Sequence, residues 1–149
     1  MLRQNWQGAW LEDLVRAHLN LFAATPRADI SGPPLFLEAN AVQNIGFALH
    51  ELATNATKHG VLRTPDGHVS VTWHRTDERI HLEWKETGGQ EPKQPDHRGF
   101  GSLVLTQLVP QSLQGNATLE FTSEGCRWAL DFAATHVLTN HPPSNQRAL

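Results

Sequence analysis

Residues 49–60 read LHELATNATKHG. Together with Ile45 upstream, Leu49, Leu52 and Ala56 recur at a 3.6-residue period and form one continuous apolar stripe, which predicts a helix from about Asn40 to His59. At about 100° per residue, Glu51, Asn55 and Lys58 fall within an arc of about 60° on the edge of that stripe. They therefore border the buried face and do not point to the far solvent side. An exposed helix flank with ordinary i,i+4 polar contacts presents the same triple.

Outward from this helix, the period changes. Val69, Val71 and Trp73 alternate with polar residues, as do Ile80, Leu82 and Trp84, and the intervening TDE (76–78) predicts an antiparallel hairpin. Two more alternating runs, Leu119/Phe121 and Cys126/Trp128/Leu130/Phe132, are separated by SEG (123–125). A first helix is predicted over Trp10–Phe22, a short strand at Leu35–Leu37 after the SGPP break, and a third helix capped by Ser102, which Pro110 ends or kinks. The order of elements predicts an α/β two-layer sandwich, a mainly antiparallel mixed sheet covered on one face by helices. The domain is expected over residues 1–134, with 135–149 (proline-containing and polar) as a C-terminal tail or linker.

The chain of 149 residues has the length of one domain, and 39% hydrophobic with 18% charged residues suits a folded core. A net charge of −3 speaks against a partner held by broad phosphate neutralisation, so no nucleic acid is expected. A single cysteine, Cys126, excludes an intrachain disulfide and a multi-cysteine metal site, and points to a reducing compartment. The first nineteen residues carry no signal-like apolar core and no run reaches spanning length. A cytoplasmic location without membrane contact from this segment is the expectation.

Glu51, Asn55 and Lys58 can divide the work of a nucleotide site. The carboxamide oxygen of Asn55 suits Mg²⁺, Lys58 neutralises phosphate oxygens, and Glu51 holds or deprotonates an attacking group. The zinc-protease pattern that HELAT (50–54) begins fails, because Thr54 stands where the second histidine is required. A second unusual stretch is KETGGQEPKQPDHRGFGS (85–102). Glu86 lies just past an alternating run and is followed by Gly88 and Gly89, which permit close backbone approach. Gly99, Phe100 and Gly101 lead into a helix start at Ser102, where free N–H groups favour anions, and Arg98 adds a charge suited to phosphate. Hairpin turns explain each glycine motif taken singly.

In this order the stretches resemble the ATP-binding catalytic domain of histidine kinases, part of an ATPase superfamily shared with gyrase. HELATNATKHG (50–60) resembles the family's N-box, EWKETGG (83–89) its first glycine box and HRGFGS (97–102) its second. His50 with the Trp84-x-Glu86 pattern resembles the HWE subfamily of bacterial sensor kinases. The resemblance runs from about Trp10 to Phe132. It implies the Bergerat-type histidine kinase ATPase fold, with ATP and Mg²⁺ between the second helix and an 88–101 lid. Asn55 would ligate Mg²⁺ and Lys58 would touch phosphates. Glu51 occupies the position of the acidic residue at or near the general base, and it would chiefly orient or polarise because a histidine nucleophile needs little deprotonation. His59 would stack on adenine, and Glu86, where most relatives carry Asp, would accept from the adenine amino group. Gly88, Gly89, Arg98, Gly99, Phe100, Gly101 and Ser102 would complete the ATP site. His50 has two readings, a site role and helix packing, whereas Trp84 reads as core.

The implied function is ATP-dependent phosphoryl transfer to a histidine on a separate dimerisation domain or partner, serving a response regulator indirectly, by a domain that is monomeric in isolation. Two residues separate the glycines from Pro92 where the subfamily has Pro directly, so the lid is expected to start differently. No phosphoacceptor helix precedes residue 10, which implies an excised domain or action on a partner's histidine. A stand-alone anti-sigma-type serine kinase, and a nucleotide-binding interaction module without turnover, are the alternatives.

Overall fold

The computed structural model describes residues 7–89 and 100–141. Its elements are β1 (Gly8–Trp10), α1 (Leu11–Leu21), β2 (Ala28–Ser31), β3 (Phe36–Glu38), α2 (Ala39–His59), β4 (His68–Thr76), β5 (Arg79–Thr87), α3 (Phe100–Leu103), a π-helical turn (Val104–Leu108), α4 (Val109–Ser112), β6 (Asn116–Phe121) and β7 (Cys126–Ala133). Five strands form one sheet in the order β2-β4-β5-β7-β6. All its pairs are antiparallel except β2 with β4, which is parallel. Alternation places Val69, Val71 and Trp73, then Ile80, Leu82 and Trp84, then Trp128, Leu130 and Phe132 on one buried face. Against that face pack α1, the stripe Ile45/Leu49/Leu52/Ala56 of α2, and Leu105 and Val109. The sandwich expected from the sequence is the one found.

Three local expectations differ from the structure. The Leu35–Leu37 run belongs outside the main sheet: β3 pairs with β1 in a separate two-stranded ribbon, and the main sheet takes its edge strand from Ala28–Ser31. Ser102 does not cap a helix. It is the third residue of α3, and its carbonyl accepts Thr106 Oγ1 at 2.7 Å. Nor does Pro110 stop the helical path, which continues to Ser112. In the π turn Val109 N–H bonds Val104 O, so the proline's missing N–H falls opposite Leu105 O. The buried indole Nε1 of Trp128 donates to that carbonyl at 2.9 Å, which removes the cost of leaving it bare.

The expected tail begins inside folded structure. Ala134–His136 form a 3₁₀ turn, Val137 bridges Leu37, and Leu138 N–H donates to Phe36 O at 2.8 Å. The buried His136 meets Glu38 Oε2 at 2.7 Å through Nδ1. Glu38 is also the cap of α2, accepting from the N–H groups of Asn40 and Ala41 at 2.9 and 3.0 Å. One carboxylate thus ties the end of the described chain to the start of the helix that carries Glu51, Asn55 and Lys58. Residues 142–149 lie outside the described residues.

Candidate functional site

Strand β5 buries Ile80, Leu82, Trp84 and then Glu86, which is 3% exposed. The period of two therefore carries a carboxylate onto the apolar face at the strand's end. The same period puts Trp84 beside it, and the indole Nε1 donates to Glu86 Oε2 at 3.0 Å. The W-x-E spacing is thus a side-chain contact along one strand face. Cys126 N–H donates to Glu86 Oε1 at 3.1 Å, and the nearby Val61 backbone also acts to lower the carboxyl pKa. Burial nevertheless raises the carboxyl pKa above its ordinary 4.5, with these donors pulling the other way. Among the described residues no cation pairs with Glu86. A carboxylate has about four acceptor positions, so with the Trp84 and Cys126 donors in place it retains acceptor capacity.

Glycines make the space around it. A methyl group at Gly60 would lie 3.1 Å from Glu86 Oε1, and one at Gly125, where φ is +152°, would lie 2.5 Å from Glu86 Cβ. Gly88, with φ +76°, passes so close to Asp66 that a methyl there would meet its carbonyl oxygen at 2.3 Å. Gly89 N–H donates to Glu124 O at 3.1 Å. The end of α2, the 61–67 connection, Gly88–Gly89 and the β6–β7 turn therefore meet at one carboxylate. The neighbouring Cys126 thiol is pushed up to about 12 by burial and by the Glu86 charge, so it is inert at neutral pH.

The second half of the site lies along α2. Glu51 is half-buried, and a methyl group at Gly101 would sit 2.3 Å from its Oε2. The acidic residue of the helix and the second glycine stretch are therefore in direct contact. Asn55 and Lys58 are exposed one and two turns further on, and His59 is exposed at the helix end. His50 is exposed on another face of α2, its ring 5.8 Å from that of Phe22. Ser102 is half-buried within α3. Arg98, Gly99 and the altered GGQEP junction beyond Gly89 lie outside the described residues, as does the Phe100 side chain. Among the described residues no group of three or more His, Cys, Asp or Glu is placed to hold a metal.

Residues 34–111, more than half of the chain, match the profile of the histidine kinase-like ATPase domain. The chain belongs to this family. The blue-light-activated histidine kinase of Brucella ovis is 32% identical over 131 residues, 84% of this chain and 27% of that protein. The protein of the same description from Rhizobium johnstonii is 34% identical over 124 residues, 82% of this chain and 36% of that protein. The chain thus spans about a quarter to a third of the length of these curated relatives. The histidine kinase domain of a blue-light activated histidine kinase from Erythrobacter litoralis matches with a TM-score of 0.66 at 16% identity, covering 81% of this chain and 58% of that one, a likeness of fold. No helix among the described residues of this ATPase domain is long and apolar enough to cross a membrane.

The sequence motifs did not show how this histidine kinase-like domain holds Glu86. Cys126 N–H, Gly60 and Gly125 come from segments 26 to 40 residues away, and the local signal for them was glycine, in the SEG turn and at the end of α2.

Proposed function

We propose that this chain is the ATP-binding catalytic domain of a sensor histidine kinase of the HWE type. It passes the γ-phosphoryl group of ATP to a histidine on a separate dimerisation domain or partner chain, from which a response regulator is served, and it works in the cytoplasm. The observation that carries this reading is Glu86. It is a buried carboxylate with no cation partner among the described residues, oriented by the N–H groups of Trp84 and Cys126 and walled by glycines, with acceptor capacity left for a further donor. The exocyclic amino group of adenine is such a donor.

The other residues follow from that placement. Lys58 neutralises phosphate oxygens. Asn55 supplies one neutral oxygen toward Mg²⁺, a cation that keeps most of its waters and otherwise binds through substrate phosphates. A single protein ligand is consistent with the lack of a three-ligand cluster among the described residues. Bound there, Mg²⁺ would neutralise charge on the phosphates. The acceptor imidazole attacks with a nitrogen lone pair, so the N–P bond forms as the bond to the ADP oxygen breaks. Glu51 orients the acceptor ring by receiving a hydrogen bond from its other N–H, whose proton passes to solvent once the ring is phosphorylated. Catalysis here rests on positioning and charge neutralisation.

Incubating the chain with γ-labelled ATP, Mg²⁺ and the acceptor-histidine segment of a related kinase tests this reading. The expected product is phosphate on the segment that is labile in acid and stable in base. Acid-stable label would move the assignment to a serine kinase. No label on a competent acceptor would leave a nucleotide-binding module without turnover.

A further inference from the structure

We propose that Arg27 is a positioning residue of the nucleotide site, holding from outside the 60–67 connection whose inner side walls the Glu86 pocket, and that it thereby sets the preference for adenine. The inference rests on the nucleotide-site reading above.

Arg27 stands in the turn just before β2, outside the N-box and both glycine boxes. Its Nε donates to Gly67 O at 3.1 Å, one terminal nitrogen to Leu62 O at 3.1 Å, and the other to Val61 O at 3.3 Å and to Thr64 O. Four carbonyls of one connection therefore converge on one guanidinium, which has five N–H donors in a fixed plane. The connection has little else of its own. Its backbone bonds are short turns, Arg63 N–H to Gly60 O, Thr64 N–H to Val61 O and Gly67 N–H to Thr64 O, all at 3.1–3.2 Å. Without the guanidinium the four carbonyls lose their shared donor, and Val61 O and Thr64 O keep only these turn bonds and that of Thr64 Oγ1 to Val61 O at 3.0 Å.

The inner side of the same eight residues touches the site. A methyl group at Gly60 would lie 3.1 Å from Glu86 Oε1, and one at Gly89 would lie 3.1 Å from Val61 Cγ2. A methyl at Gly67 would lie 1.8 Å from Val61 O, so the connection is folded tightly on itself. Arg27 is itself anchored: its N–H donates to Ala24 O at 2.9 Å, and the next residue, Ala28, begins the strand registered against Val69 of β4. The guanidinium thus couples the sheet edge to the wall of the pocket. Loosening it frees Val61 to drift from Glu86, the group that reads the base, while the α2 residues that face phosphate stay in place.

The test is Arg27→Lys beside Arg27→Met, with calorimetric titration of non-hydrolysable ATP and GTP analogues and amide hydrogen exchange. Lysine keeps charge and stem, but one nitrogen cannot span four carbonyls set around a plane. Expected is a loss of about tenfold in ATP-analogue affinity with no matching loss for the GTP analogue, and faster exchange over 61–67 while β4 and β5 keep their protection. A wild type that binds ATP and an Arg27→Lys variant with unchanged affinity, preference and exchange would overturn this inference alone. Equal loss for both nucleotides with protection lost across the sheet would also overturn it, in favour of a general stabilising role. A folded wild type that binds neither nucleotide would overturn the nucleotide-site reading and this inference with it. Should Arg27→Met not fold, the lysine variant and the exchange data decide.

Discussion

Glu86→Gln is expected to lose about ten- to a hundredfold in affinity for an ATP analogue, the equivalent of one charge-assisted hydrogen bond of roughly 1.5–3 kcal/mol. Glutamine fills the same space but has one donor end. Its amide nitrogen must face either Trp84 Nε1–H or Cys126 N–H, donor against donor, and it offers the adenine amino group no charge. The effect on stability runs the other way with pH. Burial raises the folded-state pKa of Glu86 above 4.5, so the folded protein holds this proton more tightly than the unfolded chain. The stabilisation is fully present below about 4.5 and is lost as pH rises through the folded-state value. Above that value the ionised group costs stability, and on the proposed function it is kept for recognition. Acidifying through that value is therefore expected to raise the contribution of Glu86 to stability while weakening nucleotide binding. Urea-unfolding midpoints of wild type and Glu86→Gln at two pH values, with titrations beside them, separate the two trends. A variant that binds ATP as the wild type does would contradict the role given to Glu86.

Gly101→Ala is expected to separate stability from turnover in the opposite direction. Inside a helical stretch, alanine is better than glycine by up to about 1 kcal/mol, so the melting temperature should hold or rise. The new methyl group, however, would sit 2.3 Å from Glu51 Oε2, and the carboxylate must swing away. Misplacing an orienting group at a phosphoryl-transfer site costs on the order of a hundredfold in rate. On the proposed function, nucleotide affinity rests mainly on Glu86, Asn55 and Lys58, and it should change little. Phosphotransfer measured beside Glu51→Gln decides the matter: the two variants should fall to similar rates, and an unimpaired Gly101→Ala would show that the Glu51 position does not matter to transfer.

Much of this architecture was readable in the chain because it depends on local periods. The alternation of Val69/Val71/Trp73 and of Trp128/Leu130/Phe132, and the stripe of α2, fix which faces are buried whatever the partner. Ala28–Ser31 escaped because an edge strand holding one large apolar residue has no alternation to show. Pro110 read as an end or a kink because the relief is tertiary, a π turn with the indole of Trp128 on the orphaned carbonyl. Thr135 onward read as tail because His136 is polar, and its burial depends on Glu38 nearly a hundred residues earlier. The site divides in the same manner. Glu51, Asn55, Lys58 and Glu86 were visible as charged or polar residues at informative spacing. Trp84 read as core and is also a ligand of Glu86, and Arg27 was silent because all its partners are backbone carbonyls.

Calorimetric titration of the chain with a non-hydrolysable ATP analogue, with and without Mg²⁺ and beside Asn55→Ala, meets the central claim most directly. Mg²⁺-strengthened binding in the wild type, with the Mg²⁺ dependence lost in Asn55→Ala, is the expected result. A folded wild-type chain that binds no nucleotide under either condition would contradict it.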